Sequence, residues 1–442
     1  MRRSCNVATF GAIFVFVIAG DLGCGNGYNS GVGIPGTVTS GSGGATALQE
    51  RAFVADQVPS SSSGVLQVVD ANKDQPAINS SSFSPFTVIL GGTLPQLMIP
   101  GPNSTTLVFN SGDNGISVVD NTKETLAAKI GSIDCTATGA NCEIALPGPA
   151  DSMAVSSDGK FVYAAIRTAN QVSVADLTGS AISVKNIPAT PGNCQATNNC
   201  LPNAQHIVLS HNNAKLLVFS QDVDQFEVIN TSDNSVQIVQ SGAGSRPTYG
   251  VFSADDSKAY ILNCGRECGG TQASVSVLDM STLTVGQPVG VDAATTGTSD
   301  STNLYVAGSN PATPGAGSVT LLPLSSLTGG KQIKIGDGFH QAISLFQNKI
   351  IIGARTCTTG CLSIVDPASG TTIIDTPAAG QLQKGDVTAI TNITPRNMVY
   401  AAEGGEVRVY DVTTGQEKLN NNTPVIDVVG KVTGVLYVGP KT

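Results

Sequence analysis

Apolar and polar positions alternate in short runs along most of the chain, and the runs recur. Residues 151–180, DSMAVSSDGKFVYAAIRTANQVSVADLTGS, read as an apolar strand, a polar turn (SSDGK), a strand, a variable loop, a strand (VSVAD) and a turn. Residues 246–284 repeat that order with a longer loop. The third element is the easiest to follow: LQVVD at 66–70, ISVVD at 116–120, VSVAD at 172–176, FEVIN at 226–230, VSVLD at 275–279, VTLLP at 319–323, LSIVD at 362–366 and VRVYD at 407–411. Their last residues stand 43 to 56 positions apart. Alternation predicts a half-buried strand. Asp at the strand end starts a turn by bonding its own downstream backbone, so these aspartates read as turn formers, not catalysts. The strand before each copy (RAFVAD, TLVFNS, FVYAAI, LLVFSQ, AYILNC, LYVAGS, IIIGAR, MVYAAE) is largely apolar, as expected where neighbours cover both faces.

Units of this length holding about four short strands predict an all-β chain folded as a β-propeller. One blade cannot bury two apolar faces alone; arranged radially, each covers the next. Eight copies imply eight blades, or seven if the copy ending at Pro323 is irregular. The first repeat begins near Glu50 without an inner strand, and KVTGVLYVG at 431–439 is an extra strand with no repeat of its own. It is expected to join the first blade and close the ring, leaving only short outer edges exposed.

SSDGKFVYAAIRTANQVSVADLTG (156–179) resembles the YVTN-type β-propeller repeat of bacterial surface and exported proteins, with its Ser-Pro-Asp-Gly-Lys turn, Tyr-Val strand and Val-Ser-Val-Ile-Asp strand. Ser157 stands where that family often has Pro, and Tyr260-Ile261-Leu262-Asn263 is nearest to the four naming letters. The resemblance covers roughly residues 50–440 and implies the fold. Such propellers include scaffolds, surface-layer components and lactonase-like enzymes, so it does not choose a function.

Ahead of the repeats, Met1-Arg2-Arg3 and the 13-residue apolar run 8–20 read as a secretory signal, too short for a comfortable membrane span. Asp21-Leu22-Gly23-Cys24 resembles the end of a bacterial lipoprotein box, in which the Cys is lipidated, although Asp21 stands where the box has an apolar residue. Cleavage after Ala19 is the alternative. Residues 1–23 are thus expected to be a signal peptide, 24–48 a Gly/Ser-rich tether and 49–442 the propeller. Cys5 lies in the signal, and eight cysteines form four local couples: Cys135 and Cys142, Cys194 and Cys200, Cys264 and Cys268, Cys357 and Cys361. In an exported protein they read as four disulfides, leaving Cys24 for the lipid.

Charge and chemistry narrow the picture little. Net charge is −9 with no block of like charges, which argues against nucleic-acid binding. Asp70-Ala71-Asn72-Lys73-Asp74 opens like a calcium loop but lacks its Gly and Glu, and reads as a turn. Propeller ligands usually bind at one end of the central channel. The polar residues near the starts of the inner strands are Gln96, Asp151, Gln205, His206, Arg246, Tyr249, Asp292, His340, Gln341 and Asp386. They are the candidate ligand-binding set. No catalytic residue, metal site or cofactor is assigned, and His211 reads as exposed. The expectation is a monomeric, lipid-anchored binding or scaffold module of the bacterial envelope, with a protein or envelope polymer as partner. A lactonase-like hydrolase using the same polar ring is the alternative.

Overall fold

A computed structural model describes residues 37–38, 46–58, 63–79, 84–135, 143–188, 200–376 and 384–440. The signal, Cys24, Cys142 and Cys194 lie outside the described residues.

Eight antiparallel sheets follow one another in chain order. Blade 2 shows the plan: inner strand Pro95–Gly101, second strand Thr105–Asn110, third strand Gly115–Asp120 and a short outer strand Thr125–Leu126. The inner strands of blades 3 to 8 are Ser152–Val155, His206–Leu209, Pro247–Phe252, Thr296–Ser299, Phe339–Phe346 and Val387–Ile393. Each lies against the next around the ring. Blade 1 takes its second and third strands from Arg51–Gln57 and Val65–Asp70, and its inner strand from Lys431–Gly439. The ring is therefore an eight-bladed β-propeller closed by the C-terminal strand. Gly317–Pro323 is a regular third strand of blade 6, which removes the seven-blade alternative.

The turn aspartates behave as the pattern implies. Asp70, Asp120, Asp176, Asp279, Asp366 and Asp411 each accept a bond through Oδ1 from the backbone N–H two residues on, at 2.8–3.0 Å. Asp70–Asp74 is such a turn. The second strands are buried on both faces.

The third strands differ from the half-buried expectation. Their polar positions are also buried: Gln67, Ser117, Ser173, Glu227, Ser276, Thr320 and Ser363. Blade-to-blade stacking covers both faces, and side-chain bonds replace water. Asn110 donates to Ser117 at 2.8 Å, Asn263 to Ser276 at 3.1 Å and Gln67 to Asp56 at 2.6 Å. Short hydroxyl and amide side chains suit this layer because most are satisfied locally; the Thr320 hydroxyl is buried without a partner among the described residues.

Glu227, in blade 4, breaks that pattern. Burial pushes its carboxyl up to about 8, opposed only by a bond from the Leu201 backbone. The folded state therefore holds a proton that the unfolded chain releases near the ordinary Glu value, and stability falls as pH rises between the two, by about 1.4 kcal/mol per pH unit. Glu227→Gln is expected to leave the melting temperature unchanged near pH 4.5 and to raise it at pH 8. A thermal melt series across that range checks it; equal destabilisation at both ends would contradict the assignment.

Both flanks of blade 1 carry buried ion pairs. On one side, Arg51 meets Glu124 of blade 2 at 2.9 Å, and Thr46 donates to the same carboxylate through N and Oγ1 at 2.6 and 2.7 Å. On the other, Asp74 receives Arg396 of blade 8 through both Nη atoms at 2.5 and 2.7 Å, the Tyr400 hydroxyl at 2.6 Å and Lys418 at 2.5 Å. Two parts of the stretch expected as a tether thus have partners on the propeller, Thr46 at Glu124 and Thr37–Val38 in a parallel pair with Ile78–Asn79.

Candidate functional site

The two faces of the disc differ. Connections between inner and second strands are tight turns such as Ser156–Lys160, whose Ser156 hydroxyl accepts from the Lys160 and Phe161 N–H groups. The longer loops emerge at the opposite face, between second and third strands and between blades. Two disulfides staple them, Cys264–Cys268 in blade 5 and Cys357–Cys361 in blade 7. Cys135 and Cys200 are also disulfide-bonded, and their expected partners lie outside the described residues.

At this loop face each inner strand begins with the same irregularity. In blades 1, 2, 5, 7 and 8 two residues of the inner strand face one residue of the second strand, a β-bulge that turns one residue out of the ladder. In blades 3, 4 and 6 the residue just ahead of the strand gives its N–H to the carbonyl of the residue that faces the strand's first position, which is the same arrangement at the strand end. Counting around the ring, the bulged residues are Thr433, Gln96, Asp151, Gln205, Thr248, Thr295, Gln341 and Thr388. The innermost strand has no partner on its channel side, so these residues form a collar at the channel mouth. Gln96, Asp151, Gln205 and Gln341 belong to the set expected from sequence. The four threonines do not, and they are held by backbone carbonyls: Thr433 donates to Pro95 O at 2.7 Å, Thr295 to Ala307 O at 3.2 Å and Thr388 to Ala402 O at 3.3 Å. The three Gln amides have no hydrogen-bond partner among the described residues. A β-bulge recurring once per repeat is the signal that would have found the threonines, but a bulge leaves no mark in a strand's apolar pattern.

The other candidates have different positions. His206 and Tyr249 follow the bulge in blades 4 and 5 and stack on each other, ring centroids 4.4 Å apart. Burial pushes His206 down to about 4, so the imidazole is neutral at pH 7. His340 precedes the bulge in blade 7, where the other blades have Val, Pro or Ala. It is 1% exposed, shares a 3.1 Å bond with Gly336 O through Nε2 and has a buried, unpartnered Nδ1. Arg246 is bound to the Asp222 carbonyl and to Asp224, and holds a loop. Asp292 accepts from Asn310 and Ser318, each at 2.8 Å. Asp386 is exposed and accepts from the Thr356 N–H at 2.8 Å. His206 and His340 lie three blades apart. Among the described residues no three His, Cys, Asp or Glu side chains gather as a metal would need. His211 pairs with Asp256 at 2.6 Å on the opposite face.

A separate cleft of about 410 Å³ opens between blades 5 and 6 at the loop face, lined by Arg266, Glu267, Gln272, Asp292 and Asn310 among others. Burial pushes Glu267 up to about 8 against a bond from the Ser309 N–H.

Two arginines border the collar and were not in the sequence-derived set. Arg167 and Arg355 each stand two residues beyond the second-strand residue that faces the bulge, Ala165 and Gly353. They occupy the same repeat position in blades 3 and 7, which face each other across the ring. Burial raises the Asp151 carboxyl, against the opposing pull of Arg167 in its own blade and of Arg355 on the far wall. Their reach across the channel makes the mouth one electrostatic site rather than eight separate edges.

No family model and no curated protein matches the chain. Solved structures do. The dihydro-heme d1 dehydrogenase NirN in complex with DHE is 13% identical, with a TM-score of 0.58 over 89% of this chain and 75% of that one. Kuenenia stuttgartiensis hydrazine synthase is 14% identical, with a TM-score of 0.50 over 74% and 95%. The Pseudomonas aeruginosa periplasmic gluconolactonase PpgL is 15% identical, with a TM-score of 0.46 over 88% and 98%. What the likeness shows is the propeller fold. Its site residues have to be argued from this chain alone.

Proposed function

We propose that this propeller is an exported, lipid-anchored binding or scaffold module of the bacterial envelope, and that it captures a protein or envelope polymer on its loop face. The carrying observation is the difference between the two faces. Stapled loops, a polar collar and the blade 5–6 cleft share one face, while tight turns dominate the other. Loops held by a rigid ring are where binding residues concentrate. Disulfides persist in oxidising compartments, which supports export. The Leu22-Gly23-Cys24 sequence and the pairing of the other mature cysteines support a lipid on Cys24.

The test uses the mature protein as bait in envelope extracts. Arg266→Glu alters the loop face and Lys160→Glu the opposite face. Capture of a defined partner is expected to drop at least tenfold with the first and to stay with the second. Equal loss in both, or in neither, would contradict a loop-face site. Intact mass of detergent-extracted protein checks the anchor, with acyl chains on Cys24 as the expected result.

Asp151 favours a second reading, the lactonase-like hydrolase. Its carboxyl, raised by partial burial beside an arginine, is the kind of group that serves acid–base chemistry. Lactone turnover that disappears in Asp151→Asn would favour this reading over the first.

A further inference from the structure

Blades 3 and 7 present the same pair of positions at the channel mouth with one difference. In blade 3 the bulged residue is Asp151, whose carboxylate lies under the electrostatic pull of Arg167 in the same blade. In blade 7 the bulged residue is Gln341, which is uncharged and exposed. Arg355 there has no carboxylate within ion-pair distance, and the Asp151 charge reaches it only from the facing wall. It is half-buried, it makes no side-chain hydrogen bond or ion pair among the described residues, and its Nε is buried and unpartnered. Arg51, Arg167, Arg246, Arg396 and Arg408 all have a carboxylate within 4 Å. Apart from Asp21, every acidic residue of the chain is among the described ones, so the absence of a partner does not come from an undescribed acid.

A partly buried guanidinium without a carboxylate or hydrogen bonds is costly. Its planar fork matches a carboxylate through two parallel bonds. The surroundings select among anions. Asp151 on the facing wall disfavours a dianion such as phosphate, whereas a single negative charge balances Arg355. The free amides of Gln341, Gln96 and Gln205 offer both donors and acceptors to an uncharged remainder.

We propose that the channel mouth binds a small organic monocarboxylate bearing hydroxyl or amide groups, with its carboxylate on Arg355 in the place that Asp151 fills in blade 3. Gln341, Gln96 and Gln205 then hold the rest of the molecule from the collar. This site takes a small solute in the channel. It is distinct from the capture of a macromolecule on the surrounding loops.

Isothermal titration with three probes tests it: galacturonate, N-acetylglycine and inorganic phosphate. At least one carboxylate is expected to bind, and which one separates a sugar acid from an amino-acid derivative. Phosphate is expected to bind at least tenfold more weakly. Arg355→Gln is expected to reduce carboxylate affinity at least tenfold. Gln341→Asp places an internal carboxylate beside Arg355 and is expected to abolish binding while the melting temperature holds or rises; as an exposed position, it guards against a loss through misfolding. Failure of both carboxylates to bind at millimolar concentration, preference for phosphate, or binding unchanged in either variant overturns the proposal. Partner capture by Gln341→Asp in the pulldown above is expected to persist, so failure of this site and failure of the loop-face reading remain distinguishable.

Discussion

Removing residues 431–442 is expected to abolish cooperative folding. The strand Lys431–Gly439 pairs along the whole of Arg51–Gln57. Val432 and Val435 sit in one buried cluster with Ala52, Val54, Val407 and Ile426, so the strand joins blade 1 to blade 8 as well as completing blade 1. Without it, a fully buried strand gains an open edge and two blade interfaces lose their innermost layer. The truncated chain should show no sharp thermal transition by circular dichroism and should aggregate on gel filtration. A rearranged chain separates loss of pairing from loss of length. Gly439 lies opposite Arg51, so a short turn can join residues 431–440 directly ahead of Arg51. That permutant, ending at Gly430, should recover the transition. A truncated protein that melts like the full chain would mean that the ring closes without its latch.

Asp74→Ala is expected to destabilise the protein by on the order of 3 kcal/mol, read from urea unfolding. The effect comes less from lost attraction than from what is left behind. Arg396, Lys418 and the buried Tyr400 hydroxyl all point at the Asp74 carboxylate. Lys418 is half-exposed and can turn to water, whereas Tyr400 cannot. Arg396→Met added to Asp74→Ala is expected to recover part of the loss, because the stranded guanidinium goes with it. The pH dependence has a definite sign. Burial alone would raise the Asp74 carboxyl, but the bonds from Arg396, Lys418 and Tyr400 outweigh it and hold it below the ordinary carboxylate range. Its contribution is therefore complete above the ordinary Asp value and disappears as pH falls through the lowered one. Wild type and Asp74→Ala should converge in stability only at strongly acid pH; a difference that persisted unchanged there would point to packing instead, and one that vanished already at pH 5 would mean that the carboxyl is not held low.

The ring was legible in the chain because every blade repeats one apolar schedule, and the terminal strand stood out as a copy with no companions. The turn aspartates were legible because their bonding is local. Burial of the third-strand serines was not, since a serine facing water and one facing a neighbouring blade look alike in a pattern of alternation. The collar was half legible. Gln96, Asp151, Gln205 and Gln341 drew notice as polar residues at strand starts, whereas Thr248, Thr295, Thr388 and Thr433 passed as ordinary strand formers. Arg355 was missed because it reads as the polar end of IIIGAR. Its interest lies in a comparison with Arg167 that only the bulge register and the eightfold arrangement make available.

Blade 1 also imposes an order of events. Blades 2 to 8 are each complete once a contiguous stretch of chain has emerged during synthesis. Arg51–Gln57 emerges early, but its inner partner is the last strand to arrive. Closing a loop of that length costs roughly 4 kcal/mol more than closing a neighbouring hairpin. Until then the nascent disc has an open seam, with unpaired backbone along Arg51–Gln57 and an uncovered apolar face on blade 8. The latch therefore acts as a timer that leaves the ring open during synthesis and closes it only when the last strand arrives.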